Sequence, residues 1–285
     1  MKTVRDLGEF GLIRLLRKHI PRAGDDCAVL PGGWLLTCDP VIEGIHYLPS
    51  TPPYRVGWKA MARNLSDIAA MAGKPRYAVV SLGLRPATPV RYVTELYRGM
   101  RAVAGRFGCE IVGGDTAHVR REPFVVVTIL GHADRPVLRS GAKPGDRVFV
   151  TGKLGGSYRS GKHLRFLPRL REARQLARYA HAMLDLSDGL ASDLQRLSEA
   201  SRVGFEIFSD KIPGQLPGAL TDGEDFELLF TVAPRHAGRL RNRYHEIGCV
   251  IPEPVILLDG QPLRAQGYDH FLARGAVDRR EESPA

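Results

Sequence analysis

The sequence predicts an α/β (α+β) protein built as two layered domains, each a mixed sheet packed with helices. Three observations lead there. Short apolar runs of strand length alternate with longer segments of helical period. A turn-forming stretch, Arg139-Ser140-Gly141-Ala142-Lys143-Pro144-Gly145-Asp146, interrupts that alternation near the middle. The length, 285 residues, suits about two cores, although one large domain would also accommodate it.

A helical pattern over 10–19 stops at Pro21, and strand-like runs at 27–30 and 34–38 flank the turn Pro31-Gly32-Gly33. A long helix is expected over 55–71, with Gly73 and Pro75 beyond it as stop signals. A strand at 77–84, a helix at 90–107, a short strand at 110–112 and an apolar strand at 124–130 complete the first half. The boundary is set just ahead of the turn-forming stretch, dividing the chain into 1–137 and 138–285. The second half repeats the mixture, with a strand at 147–151, a basic helical region, a strand at 182–186 and a helix at 190–200. Strands at 205–208 and 226–232, a helix at 234–247, a strand at 250–258 and a polar tail after Ala276 follow.

Hydrophobic residues at 44% and charged residues at 25% are ordinary for a globular chain and argue against disorder. The longest apolar stretch, 124–130, is far below the ~18 residues of a spanning helix. Residues 1–10 carry Asp6 and Glu9 where a secretory signal would be apolar, so a cytoplasmic protein with no membrane partner is expected. Cys27, Cys38, Cys109 and Cys249 have no CxxC spacing and read as reduced core thiols. The net charge of +10 suits nucleic acid, an anionic membrane or anionic small molecules alike. The densest basic segment, 159–178, contains no nucleic-acid module and reads first as a solvated helix face.

Aspartates recur at strand ends or beside glycine, where no side chain blocks a ligand. They stand in Gly24-Asp25-Asp26, Thr37-Cys38-Asp39, Asn64-Leu65-Ser66-Asp67, Gly113-Gly114-Asp115, Asp185-Leu186-Ser187-Asp188-Gly189 and Gly223-Glu224-Asp225. Singly, such residues cap helices or turns; together they call for a cation, because unpaired desolvated carboxylates are costly. Hard oxygens without Cys/His pairs at zinc spacing favour magnesium bridged to phosphates. Asp67 lies inside a helical pattern, beside the apolar stripe of Trp58, Met61, Leu65 and Ile68, and by itself reads as a solvent-facing residue. Residues 156–162 match a GxxxxGK opening, but His163 stands where Ser or Thr should meet magnesium, and 152–156 does not give GxGxxG.

Seven segments in order resemble the thiamine-monophosphate kinase family, within the aminoimidazole ribonucleotide synthetase superfamily. They are Gly24-Asp25-Asp26-Cys27-Ala28, Glu43-Gly44-Ile45-His46, the segments 64–71, 113–116 and 139–146, Asp185-Leu186-Ser187-Asp188-Gly189-Leu190 and Gly223-Glu224-Asp225-Phe226-Glu227-Leu228. The likeness extends from Gly8-Glu9-Phe10 to Gly267-Tyr268-Asp269-His270-Phe271. It implies the two-domain fold of that superfamily and a homodimer joined through the N-terminal domains. It implies ATP-dependent phosphorylation of thiamine monophosphate, with several magnesium ions held by Asp26, Asp39, Asp67, Asp115 and Asp185. Thr37 and the Cys38 position would assist, and Asp188 would hold a further ion. Gly114, Asp115, Arg139 and Ser187 would contact ATP, and His46, Glu224 and Tyr268 the thiamine monophosphate. Without the resemblance these last three read as a loop histidine, a turn carboxylate and a packed aromatic. No side-chain base or nucleophile is expected, because the acceptor is already an anion. A different substrate within the superfamily, or a silent nucleotide- or RNA-binding paralogue, are the competing readings. Compared with the family, 156–182 and 208–221 are short, and Cys38 and Pro40 replace threonines.

Overall fold

The computed structural model describes residues 2–20, 22–263 and 271. Helix α1, Val4–Arg17, starts earlier than its apolar pattern because the Asp6 carboxylate accepts from Thr3 N at 2.7 Å and Thr3 Oγ1 at 2.9 Å, closing the first turn. Strands β1 (Ala28–Leu30) and β2 (Trp34–Ile42) pair around the expected turn. β2 outruns its expected end at 38 and passes through Pro40. Its pairing with β1 ends at Leu36, so beyond that it is a sheet edge, where proline is tolerated.

Helix α2 (Pro53–Ala70), strand β3 (Lys74–Leu84), helix α3 (Val90–Arg106) and strands β4 (Glu110–His118) and β5 (Phe124–His132) complete the first half. The sheet order is β1-β2-β5-β3-β4, with only β3 and β4 parallel. β4 continues through Gly113-Gly114, which the sequence suggested as its end. A Cβ on Gly114 would lie 1.8 Å from the Val80 carbonyl oxygen, so glycine here permits close strand approach.

α2 is buried on nearly every side, from Val56 to Ala70, as expected of a helix held between two layers. One side packs on β2, β3 and β5, and another on α3; the remainder meets the second half of the chain. Gly57 lets α2 touch α3, because a Cβ there would fall 1.9 Å from the Leu96 carbonyl oxygen. Gly99 does the same from α3 toward the Tyr54 carbonyl oxygen at 2.0 Å.

Strand β6 (Arg147–Val150), helix α4 (Leu170–Leu176), strand β7 (Ala180–Asp185), helix α5 (Leu190–Ser201) and strand β8 (Gly204–Ile207) follow. After helix α6 (Gly218–Thr221) come β9 (Leu228–Val232), α7 (Pro234–Leu240), β10 (His245–Ile251), β11 (Ile256–Leu258) and β12 (Gln261–Pro262). The seven-stranded sheet runs β12-β11-β8-β10-β6-β9-β7, parallel only between β8 and β11. The basic segment is mostly non-helical, with α4 its single α-helix. The helix expected to 247 ends at Leu240, and the strand expected over 250–258 is divided where Pro252 and Pro254 interrupt it. Two mixed sheets packed with helices are thus present, as the sequence predicts.

One apolar cluster fills the space between the sheets, joining Leu65, Met61 and Val127 to Phe166, Met183 and Phe226. Another, including Leu184, Leu194 and Phe205, lies beneath α5. All four cysteines are free; Cys27 and Cys109 are buried, but Cys38 is exposed rather than in the core. Among the described residues no helix is long and apolar enough to cross a membrane.

Candidate active site

The cleft between the sheets has α2 as its floor. Asp26 comes from the turn before β1, Asp67 from the last turn of α2, and Asp185 from the end of β7. One carboxylate oxygen from each lies within 4.8 Å of the others. Hydroxyls hold two of them: Thr37 donates to Asp67, and Ser66 to Asp185 at 2.6 Å. Arg139 grips Asp26 with two nitrogens, at 2.7 and 3.3 Å, while its backbone N–H donates to Asp25 at 2.7 Å.

Burial, reinforced by the charges of Asp39, Asp185 and Asp26, pushes the Asp67 carboxyl well above its ordinary value against the Thr37 hydrogen bond. Burial and then Asp26 push Asp185 up in the same way, opposed by Ser66. These carboxylates therefore have little positive charge near them, and a cation could supply it. The donors are hard oxygens, as magnesium requires. The Cys38 thiol is on the other face of β2, accepting a hydrogen bond from Thr128 at 3.2 Å; only its backbone could serve the cleft.

Lys59 occupies the opposite end of the α2 floor, fully buried. Its Nζ donates to the His46 carbonyl oxygen at 2.6 Å and to Glu224 at 2.7 Å, and lies 3.0 Å from His163 Nδ1. Burial alone would raise the Glu224 carboxyl, but Lys59, His163 and Arg63 outweigh it and hold the group well below the usual carboxylate range. Glu224 and Phe226 adopt φ of +65° and +52°, a strained alternation fixed by bonds from their N–H groups to the Ser187 and Leu186 carbonyls. His46 is buried, with Nδ1 accepting from Ile42 N at 3.0 Å.

Between the two ends, Asp39 faces the cleft, its N–H donating to Asn64 at 3.0 Å and its carboxylate 3.3 Å from Arg63 Nε. Asp188 pairs with Arg196, and the Ser187 and Asp188 N–H groups donate to Asp193 at 3.1 and 3.2 Å. Gly114 and Asp115 stand apart. Asp115 pairs in register with exposed Ser81, on the face of the sheet turned away from α2. Tyr268 lies outside the described residues.

Asp225 anchors a loop by accepting from Gly155 N at 2.7 Å and Ser157 Oγ at 2.6 Å. Lys162, of the GxxxxGK-like run, is engaged by Glu227 at 3.0 Å and opens only one 3-10 turn, not the helix a phosphate loop needs. Sequence reasoning missed Lys59, Arg63, Arg196 and Asp193. For the first two the signal was their spacing, since Lys59, Arg63 and Asp67 recur every four residues and share one helix face.

Residues 24–133 match the family described as AIR synthase related protein, N-terminal domain, and 143–254 match its C-terminal domain. The chain is 35% identical to the thiamine-monophosphate kinase of Aquifex aeolicus, over 94% of this chain and 99% of the relative. It is 34% identical to that of Bacillus subtilis, over 87% and 92%. Among solved structures, AaThiL complexed with AMPPCP and TMP superposes with a TM-score of 0.89 at 34% identity, covering 95% of this chain and 99% of that one. The Escherichia coli hydrogenase maturation protein HypE, 19% identical with a TM-score of 0.68 over 83% of this chain and 85% of that one, shares the fold.

Proposed function

This chain belongs to the AIR synthase related family, in its thiamine-monophosphate kinase branch, and from that premise we propose how it transfers phosphate from ATP to thiamine monophosphate. The observation that carries the mechanism is the convergence of Asp26, Asp67 and Asp185 on one point of the cleft. These three, with Asp39 and Asp188 nearby, would hold magnesium, which when bound neutralises the phosphates of two mutually repelling anions. ATP lies at this end, with Arg139 and Ser187 beside its phosphates. Thiamine monophosphate takes the other end, against His46 and Glu224; the Glu224 carboxylate stays ionised there and suits a cationic thiazolium ring.

The remaining work is positioning. α2 holds Lys59, Arg63 and Asp67 along one line, so donor and acceptor lie over a single rigid element. The acceptor is a phosphate monoester, largely dianionic near neutral pH, so its attacking oxygen has no proton to lose. Transfer is direct and in line, without a phosphoenzyme. The Mg-holding role of the aspartates, a cytoplasmic location and the domain division at 137/138 belong to this same reading.

A homodimer completes it. The sheet face opposite α2 carries exposed Trp34, Leu36, Tyr77 and Val79, an apolar surface suited to a second copy. Asp115 lies on that face, and there it would serve the ATP site of the partner. Incubation with ATP, magnesium and thiamine monophosphate should yield thiamine diphosphate and ADP; no product, or a trapped phosphorylated residue, would refute the reading.

A further inference from the structure

We infer that Arg63 grips the phosphate of the acceptor at the point where it meets the donor, and so sets the preference of the site for a phosphorylated ligand. The inference rests on the proposed kinase reading. On α2, Arg63 lies four residues from Lys59 and four from Asp67, about one helical turn, ~6 Å, from each. Lys59 belongs to the Glu224 end of the cleft and Asp67 to the carboxylate cluster. Arg63 therefore occupies the join between them.

Its bonding sets it apart from its cationic neighbours. Lys59 is engaged by His46, His163 and Glu224; Arg139 is forked onto Asp26; Arg196 holds Asp188 and Asp193. Arg63 Nε, by contrast, is buried and makes no hydrogen bond, the one such side-chain atom among the described residues. Asp39 Oδ2 is 3.3 Å away without the alignment of a bond, and Nη1 reaches the Pro40 carbonyl oxygen only at 3.4 Å. Phe226 lies against the guanidinium from the other side of the cleft, its ring centre 6.0 Å from Cζ.

A guanidinium presents five N–H donors in a planar fork that matches phosphate oxygens. Nε, sealed from water without an acceptor, carries a cost that a ligand oxygen reaching the half-buried fork would relieve. Burial works against its charge, but four carboxylates, Asp39, Glu224, Asp67 and Asp188, outweigh that.

The test compares thiamine monophosphate with unphosphorylated thiamine, measured by calorimetry on the full chain with magnesium present. In Arg63→Met the affinity for thiamine monophosphate should fall about tenfold to a hundredfold while that for thiamine is unchanged. Arg63→Lys should restore part of the loss, and a fall in thiamine diphosphate formation should accompany it. Arg63→Gln is the second variant if methionine prevents folding. Equal loss for both ligands, or no loss, would overturn the inference while leaving the kinase reading intact. A wild-type chain that makes no thiamine diphosphate would overturn both.

Discussion

Each carboxylate of the cleft is a separate problem in charge, and the pairings solve only part of it. Asp26 has Arg139 and Asp188 has Arg196, but among the described residues Asp67 and Asp185 have only hydroxyl donors, from Thr37 and Ser66. Their proton affinities are raised, first by burial. The folded, metal-free protein thus keeps these protons at pH values where the unfolded chain has lost them. The stability they contribute is full below the unfolded value, near 4, and fades as pH rises through the raised folded values. In the proposed reading magnesium would bind the ionised form and reverse that loss. The rise in Tm on adding magnesium should therefore be larger at about pH 8 than at about pH 5.5, and Asp67→Asn combined with Asp185→Asn should abolish the difference. A magnesium effect of equal size at both pH values would contradict the assignment. Asp26, Asp67 and Asp185 were legible as candidates because glycine or a strand end stands beside two of them and a shared motif holds the third. Arg63 and Lys59 were not, because a charged residue within a helical pattern ordinarily faces water, and the second layer packed over α2 buries Lys59 and half-buries Arg63.

At the scale of elements, α2 is the part on which most depends. It carries Lys59, Arg63, Ser66 and Asp67, and its position is fixed against α3 by two glycines facing opposite backbones. Gly57→Ala places a methyl group 1.9 Å from the Leu96 carbonyl oxygen, and backbone cannot swing aside as a side chain would. The helices must part, costing about 1–3 kcal/mol by the usual penalty for overpacking. Denaturant unfolding should register that loss, and kcat should fall with it, since the cluster at the far end of α2 moves too. Unchanged stability would mean that the crossing is looser than these contacts require. The long helices and apolar strands were legible from period and length. The ends were not, wherever tertiary pairing extended or cut an element. β4 runs on through Gly113-Gly114 because β3 supplies a partner, whereas the helix expected to 247 yields to β10, whose residues pair with β6 and β8. Local preference has no access to either partner.

For the whole molecule, if Asp115 serves an ATP site as proposed, its placement decides how many chains make one site. In a single chain it is on the far side of the five-stranded sheet from Asp67, so it reaches an ATP site only if a second copy brings it there. Two inactive variants then become informative together. Asp115→Asn keeps an intact cluster on its own α2 but offers its partner nothing; Asp67→Asn has a broken cluster but still offers a sound Asp115. In a mixed dimer, the first chain's cluster meets the second chain's Asp115, and one complete site forms. Random mixing by unfolding and refolding should therefore recover about a quarter of wild-type activity, because half the dimers are mixed and each has one working site of two. If Asp115 acted within its own chain, both sites of every mixed dimer would be broken and no activity would return. Recovery without any change in the dimer fraction on a sizing column separates shared sites from a shift in assembly.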